Sequence, residues 1–126
     1  MLLTELVLTS QAVAATPRRG VKIDKIAGLL RMASPAEVPV VVAFLAGELR
    51  QRQIGVGYAA LAGLADGDAA AGPAPTLTVS EVDAVFAEVG AVTGAGAQAA
   101  RRHMLAGLFG RATAGERDFL IRLIAG

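Results

Sequence analysis

The chain carries an internal repeat, and this narrows what it can fold into more than any other feature. Shifted by 79 positions, residues 20–47 fall on residues 99–126 without a gap. Seven of the 28 pairs are identical: Ala27/Ala106, Gly28/Gly107, Leu29/Leu108, Ala33/Ala112, Glu37/Glu116, Ala46/Ala125 and Gly47/Gly126. The helix-start signals coincide as well. Ser34-Pro35-Ala36-Glu37 and Thr113-Ala114-Gly115-Glu116 both have the form of a capping box. In that device the hydroxyl accepts an orphan backbone N–H and the glutamate reaches back to the cap. The repeated unit is therefore expected to be a helix pair. The second copy stops at Gly126, where the first runs on into Glu48-Leu49-Arg50, so the chain reads as a fragment of something longer.

Apolar spacing predicts about seven helices. The first spans 2–15, with Leu2, Leu3, Leu6 and Val13 on one side. The second spans 17–32; Ile23, Ile26, Ala27 and Leu30 follow helical spacing toward a core, and Arg18, Lys22 and Lys25 form a basic stripe on another side. The third is expected over 35–52 and the fourth over 57–64. Residues 66–75 read as a linker. The fifth begins at a Thr78/Glu81 capping box, shows Val79, Val82, Val85, Phe86 and Val89, and closes at Gly90. The sixth spans 97–111 with Met104, Leu105, Leu108 and Phe109 inward, and the seventh runs from Ala114 to the end. No stretch alternates with a period of two. The fold class is all-α, in two similar halves related by a pseudo-two-fold, as one domain over 1–126.

Composition excludes several chemistries. Without cysteine there is no disulfide, thiolate metal site or cysteine nucleophile, and the single His103 builds neither a triad nor a histidine metal site. Asp66 and Asp68 lack the further ligands of a calcium loop. No segment reaches the ~18 apolar residues of a membrane span. The start lacks a basic export region and carries Glu5, so the expected compartment is the cytoplasm.

The net charge is only +1, but the charges are segregated. Arg18, Arg19, Lys22, Lys25 and Arg31 crowd the second helix; residues 53–100 contain no Lys or Arg; Arg101, Arg102 and Arg111 then follow. Such segregation points to a charged partner. Two glycine turns, 53–57 (QIGVG) and 93–98 (TGAGAQ), stand beside these basic blocks and each precedes a helix. Glycine lets backbone approach a sugar-phosphate strand, and helix N-termini favour phosphate. That combination binds nucleic acid through its backbone and reads little sequence. The simpler reading is that the glycines cap helices and the arginines are solvated.

The residues from Thr93 to Gln98, then Arg101-Arg102, Leu105-Ala106-Gly107-Leu108-Phe109 and finally Glu116-Arg117-Asp118-Phe119-Leu120-Ile121-Arg122-Leu123-Ile124-Ala125-Gly126 resemble the N-terminal DNA-binding domain of ATP-dependent DNA ligases, of actinobacterial type. Residues 16–30 and 44–58 look like the first half of that domain. The resemblance implies an all-helical domain that grips nicked duplex DNA across the minor groove, independently of sequence. It implies a DNA-binding set of Arg18, Arg19, Lys22, Arg50, Arg52, Gly55, Gly57, Gly94, Gly96, Gln98, Arg101 and Arg102. Catalytic domains using ATP and Mg²⁺ in repair or replication would lie elsewhere in the polypeptide. No cofactor, metal or catalytic residue is expected in this segment. The adenylated lysine of the family sits in Lys-x-Asp-Gly, whereas Lys22-Ile23-Asp24 is followed by Lys25; Ala97 stands where the family's second turn has serine. The alternatives are a helical-repeat protein-interaction module and a helix-turn-helix regulator. The first would show an apolar groove, and the second a base-reading helix.

Overall fold

The computed structural model describes residues 1–51, 54–65 and 74–126. Arg52, Gln53 and most of the expected linker, including Asp66 and Asp68, lie outside the described residues. Among the described residues there are seven helices: α1 (Leu3–Ala15), α2 (Arg19–Met32), α3 (Val38–Leu45), α4 (Tyr58–Ala65), α5 (Val79–Ala91), α6 (Ala97–Arg111) and α7 (Ala114–Ala125). The all-α expectation holds. None of these helices is long and apolar enough to cross a membrane.

α2 ends at Met32 and α6 at Arg111, the same position in the two copies. α1 packs on α2 and α5 on α6 as two hairpins, and α4 lies against α6 and α7. The core is shared. Leu3 and Leu6 of α1, Val41 and Phe44 of α3, Val82, Phe86 and Val89 of α5, Leu105 of α6 and Leu120 of α7 are all buried in one cluster. Phe44 meets Phe86 edge-on, with ring centroids 6.2 Å apart, a geometry that places ring edge against ring face.

Several expectations need correction. α3 does not span 35–52. Pro39 has no N–H to donate to the carbonyl of Pro35, so the ladder is interrupted and residues 35–37 remain a separate turn before Val38. At the other end Gly47 takes φ +78°. Its N–H donates to the Phe44 carbonyl at 3.0 Å and the Glu48 N–H to that of Ala43 at 2.9 Å. These are the paired bonds of a Schellman stop. Leu49 is still buried, and Arg50 follows in a turn rather than on a helix.

Ile23 does not face the core; it is 54% exposed, and Leu29 is the buried residue of α2. Among the described residues α2 packs mainly against α1, so only a narrow stripe of it is covered. Leu2, expected on the inner side of α1, is exposed, and Val7 is buried in addition to Leu3 and Leu6. α5 extends one residue past Gly90, to Ala91.

The three helix starts differ. Thr113 and Glu116 form the full reciprocal box, at 2.8 and 3.3 Å. Thr78 accepts the Glu81 N–H at 3.1 Å, but the Glu81 carboxylate turns to the Thr78 hydroxyl and to Arg111, the latter at 2.6 Å. Arg111 holds the Glu81 carboxyl below its ordinary value. Glu37 accepts the Ser34 N–H at 2.9 Å, and its other oxygen takes the amino terminus of Met1 at 2.7 Å. That ammonium, with the Ser34 backbone N–H second, lowers the Glu37 carboxyl to about 2.

A short antiparallel bridge joins Leu2 to Thr78. The Leu3 N–H donates to the Leu77 carbonyl at 2.8 Å and the Val79 N–H to that of Met1 at 2.9 Å. No alternating pattern announced it, because a single bridge has too few residues to show a period.

Candidate nucleic-acid interface

The second glycine turn forms the start of α6. Gly94 and Gly96 both hold left-handed backbone, φ +87° and +78°, and Gly96 is the N-cap. A side chain at either position would be strained, so the glycines are required by the turn itself. The Ala97 N–H donates to the Gly94 carbonyl at 3.2 Å. The turn opens onto a concave surface of about 500 Å³ lined by Thr93, Gly94, Gly96, Ala97, Gln98, Ala99 and Arg101. Beneath it the first N–H groups of a 15-residue helix point outward, the partial positive end of the helix dipole.

The first glycine turn comes to the same place from a different part of the chain. Ile54 is buried and fixes the loop; Gly55, at φ +73°, and Gly57 are exposed. The Gln98 amide donates to the Gly55 carbonyl at 3.3 Å. The Arg101 guanidinium lies flat enough against Gly55 that an added Cβ would meet its Cζ at 3.0 Å. Two turns more than 35 residues apart in sequence are thereby joined into one surface.

Arg101 itself points inward. Its Nε donates to the Val89 carbonyl at 3.4 Å and its Nη2 to that of Val92 at 2.6 Å. Arg102, one residue on, is exposed. Arg50 pairs with Asp83 of α5 at 3.2 Å and remains 47% exposed. The neighbouring Gln51 amide donates to the Asp83 carboxylate and backbone carbonyl, at 3.2 and 3.4 Å. Asp83 thus ties the approach to the first turn onto α5. Nothing in the sequence around Asp83 identifies a partner 33 residues away.

Arg18 and Arg19 are exposed at the start of α2 and Lys22 is half-buried on it. Among the described residues, no hydrogen bond or ion pair links these three to the glycine turns. Arg52 lies outside the described residues. His103 is exposed, and the described residues hold no group of three His, Cys, Asp or Glu side chains suited to a metal ion. Lys22 and Asp24 sit on a surface helix beside solvent-exposed Ile23. They therefore do not form the enclosed nucleotide pocket that lysine adenylation needs.

Residues 67–126 match the family described as DNA ligase N terminus. Across its full length the chain is 52% identical to a "Probable DNA ligase" of Mycobacterium marinum, and 47% identical to one of Rhodococcus jostii. It is 45% identical to the "DNA ligase B" of Mycobacterium tuberculosis. In each case the chain spans about a quarter, 24%, of the relative's length. No solved structure matches it. The family match assigns residues 67–126 to the DNA ligase N-terminal family, and the identities of 45–52% extend that likeness over the whole chain.

Proposed function

We propose that this chain binds nicked duplex DNA through its minor groove and phosphates, without reading sequence, as the DNA-binding region of an ATP-dependent DNA ligase acting in repair or replication. The observation that supports this best is the meeting of the two glycine turns at the start of α6. They place open backbone, helix N–H groups and nearby arginines on one surface. Minor-groove edges are degenerate, which suits an enzyme that must act at any sequence. Arg50, Arg52 and Arg102 would supply charge beside the turns, and Arg18, Arg19 and Lys22 a second basic contact on α2. Sealing of the nick, with ATP and Mg²⁺, would belong to catalytic domains of the same polypeptide. Holding the nick in reacting geometry would be this region's contribution. Chromosomal DNA as partner would place the work in the cytoplasm.

Fluorescence anisotropy with nicked, intact and single-stranded DNA over a salt series tests this. Dissociation constants of roughly 10⁻⁴–10⁻⁶ M, weakening steeply with salt, are expected for both duplexes. The Arg50→Ala/Arg52→Ala double variant should bind more weakly and with a shallower salt slope. Absence of duplex binding at low salt would overturn the proposal.

A further inference from the structure

We propose that Arg101 is a positioning residue that sets the spacing of the two glycine turns, rather than a group that touches DNA. The inference rests on the DNA-binding reading above. Three pieces of chain converge on this one side chain. Its Nε and Nη2 donate to the carbonyls of Val89 and Val92, at the end of α5. The Val89 carbonyl also takes the C-cap Val92 N–H, at 3.4 Å, and a cation at this end of the helix complements its dipole. The guanidinium also packs on Gly55, where an added Cβ would meet its Cζ and Nη1 at 3.0 Å and the backbone sits at φ +73°. The Arg101 Cα belongs to α6, four residues after Ala97 opens that helix at the second turn. Gln98 adds a tether from the same helix to the Gly55 carbonyl. The end of α5, the start of α6 and the loop before α4 are thus held in one arrangement.

The chemistry requires arginine. A lysine would supply the same charge, but its single ammonium has neither the planar face nor the separated donors to bond two carbonyls while backing a glycine. Arg102 supplies the contrast: it is exposed, and among the described residues no partner engages it. The two adjacent arginines therefore have different tasks, one holding the surface and the other contributing charge to it.

A salt titration separates these tasks, because each phosphate neutralised contributes about 0.9 to the slope of log affinity against log salt. Arg102→Ala should make the slope shallower by about that amount. Arg101→Lys keeps the charge, and should bind duplex DNA about tenfold more weakly with the wild-type slope, the loss of charge-assisted hydrogen bonds rather than of a phosphate contact. Wild-type affinity in Arg101→Lys, or a slope reduced by a full phosphate contact in Arg101→Ala, would overturn the proposal. The free protein gives an independent readout. In ¹⁵N spectra the Arg101 Nε–H should exchange slowly and show a nuclear Overhauser contact to Gly55, and Arg101→Lys should shift the Gly55 and Gly57 amides. If wild type bound no duplex, the DNA-binding reading would fall, and these spectra would still decide the clasp: an unshifted Gly55 amide refutes it. Should Arg101→Lys not fold, Gln98→Ala removes the second tether alone. It is expected to shift the same amides; no shift there, with no Arg101–Gly55 contact in wild type, would also refute the clasp.

Discussion

α3 and α7, which fall on one another in the sequence repeat, start from the same capping signal and end as different structures. α7 starts directly at its Thr113 box and runs twelve residues; α3 runs eight and begins three positions later in the repeat. Two residues account for the difference. Pro39, whose counterpart is Asp118, withholds the N–H that would join the opening turn to the helix. Ser34, whose counterpart is Thr113, takes the Glu37 N–H on its carbonyl, at 3.0 Å, where Thr113 takes the Glu116 N–H on its hydroxyl; the free oxygen of Glu37 meets the amino terminus of Met1. A capping motif thus states what a segment can do in isolation, and the residues that reach it from elsewhere decide what it does.

Five substitutions break or sharpen this contrast. Phe44→Ala should have the largest effect, about 3–5 kcal/mol in chemical denaturation. It is what fastens the short α3 to α5 through Phe86. Glu37→Gln should cost roughly 1.5–3 kcal/mol at neutral pH, the range for hydrogen bonds to charged groups. Because folding lowers the Glu37 carboxyl from 4.5 to about 2, its contribution is full above 4.5 and is lost as pH falls toward 2. Wild type and Glu37→Gln should therefore converge in stability in acid; a constant gap between them would remove the ion pair as the cause. Thr113→Ala should cost about 1 kcal/mol in thermal unfolding, while Ser34→Ala stays within about 0.5 kcal/mol, since only the threonine caps a backbone N–H. Equal losses would mean that the two boxes work alike. Pro39→Ala should change stability least, within about 0.5 kcal/mol. It should nonetheless bring helical chemical shifts to residues 35–37 by restoring the missing bond.

Much of the fold was legible where the signal was local. α6 and α7 begin and end as their caps and apolar spacing require, and of the inward set Leu105, Leu108 and Phe109 are buried and Met104 partly so. The stop of α3 was also written locally, in Gly47, but the apolar and basic run on either side of it, from Val38 to Arg52, masked the break. Ile23 shows a different limit. Spacing marks a face as apolar but not how much neighbouring protein covers it, and α2 has little beyond α1. At the candidate site the glycine turns could be read from sequence because their chemistry is in the backbone. Their meeting, and the parts played by Arg101 and Asp83, could not. Those depend on long side chains crossing between elements whose separation in sequence carries no trace of their contact.

The bridge between Leu2 and Thr78 also bears on the order in which the chain can fold. An all-helical protein commonly closes its contacts between neighbours in sequence and folds fast for that reason. Here residues 1–3 stay unpaired until the segment opening α5 has followed them from the ribosome. At ordinary elongation rates of about 5–20 residues per second, that is a wait of several seconds. α1 and α2 can collapse on each other meanwhile, but the buried Leu3 and Leu6 have no α5 to pack against until then. The nascent N-terminal hairpin is thus the stretch most open to chaperones or to mispairing during synthesis.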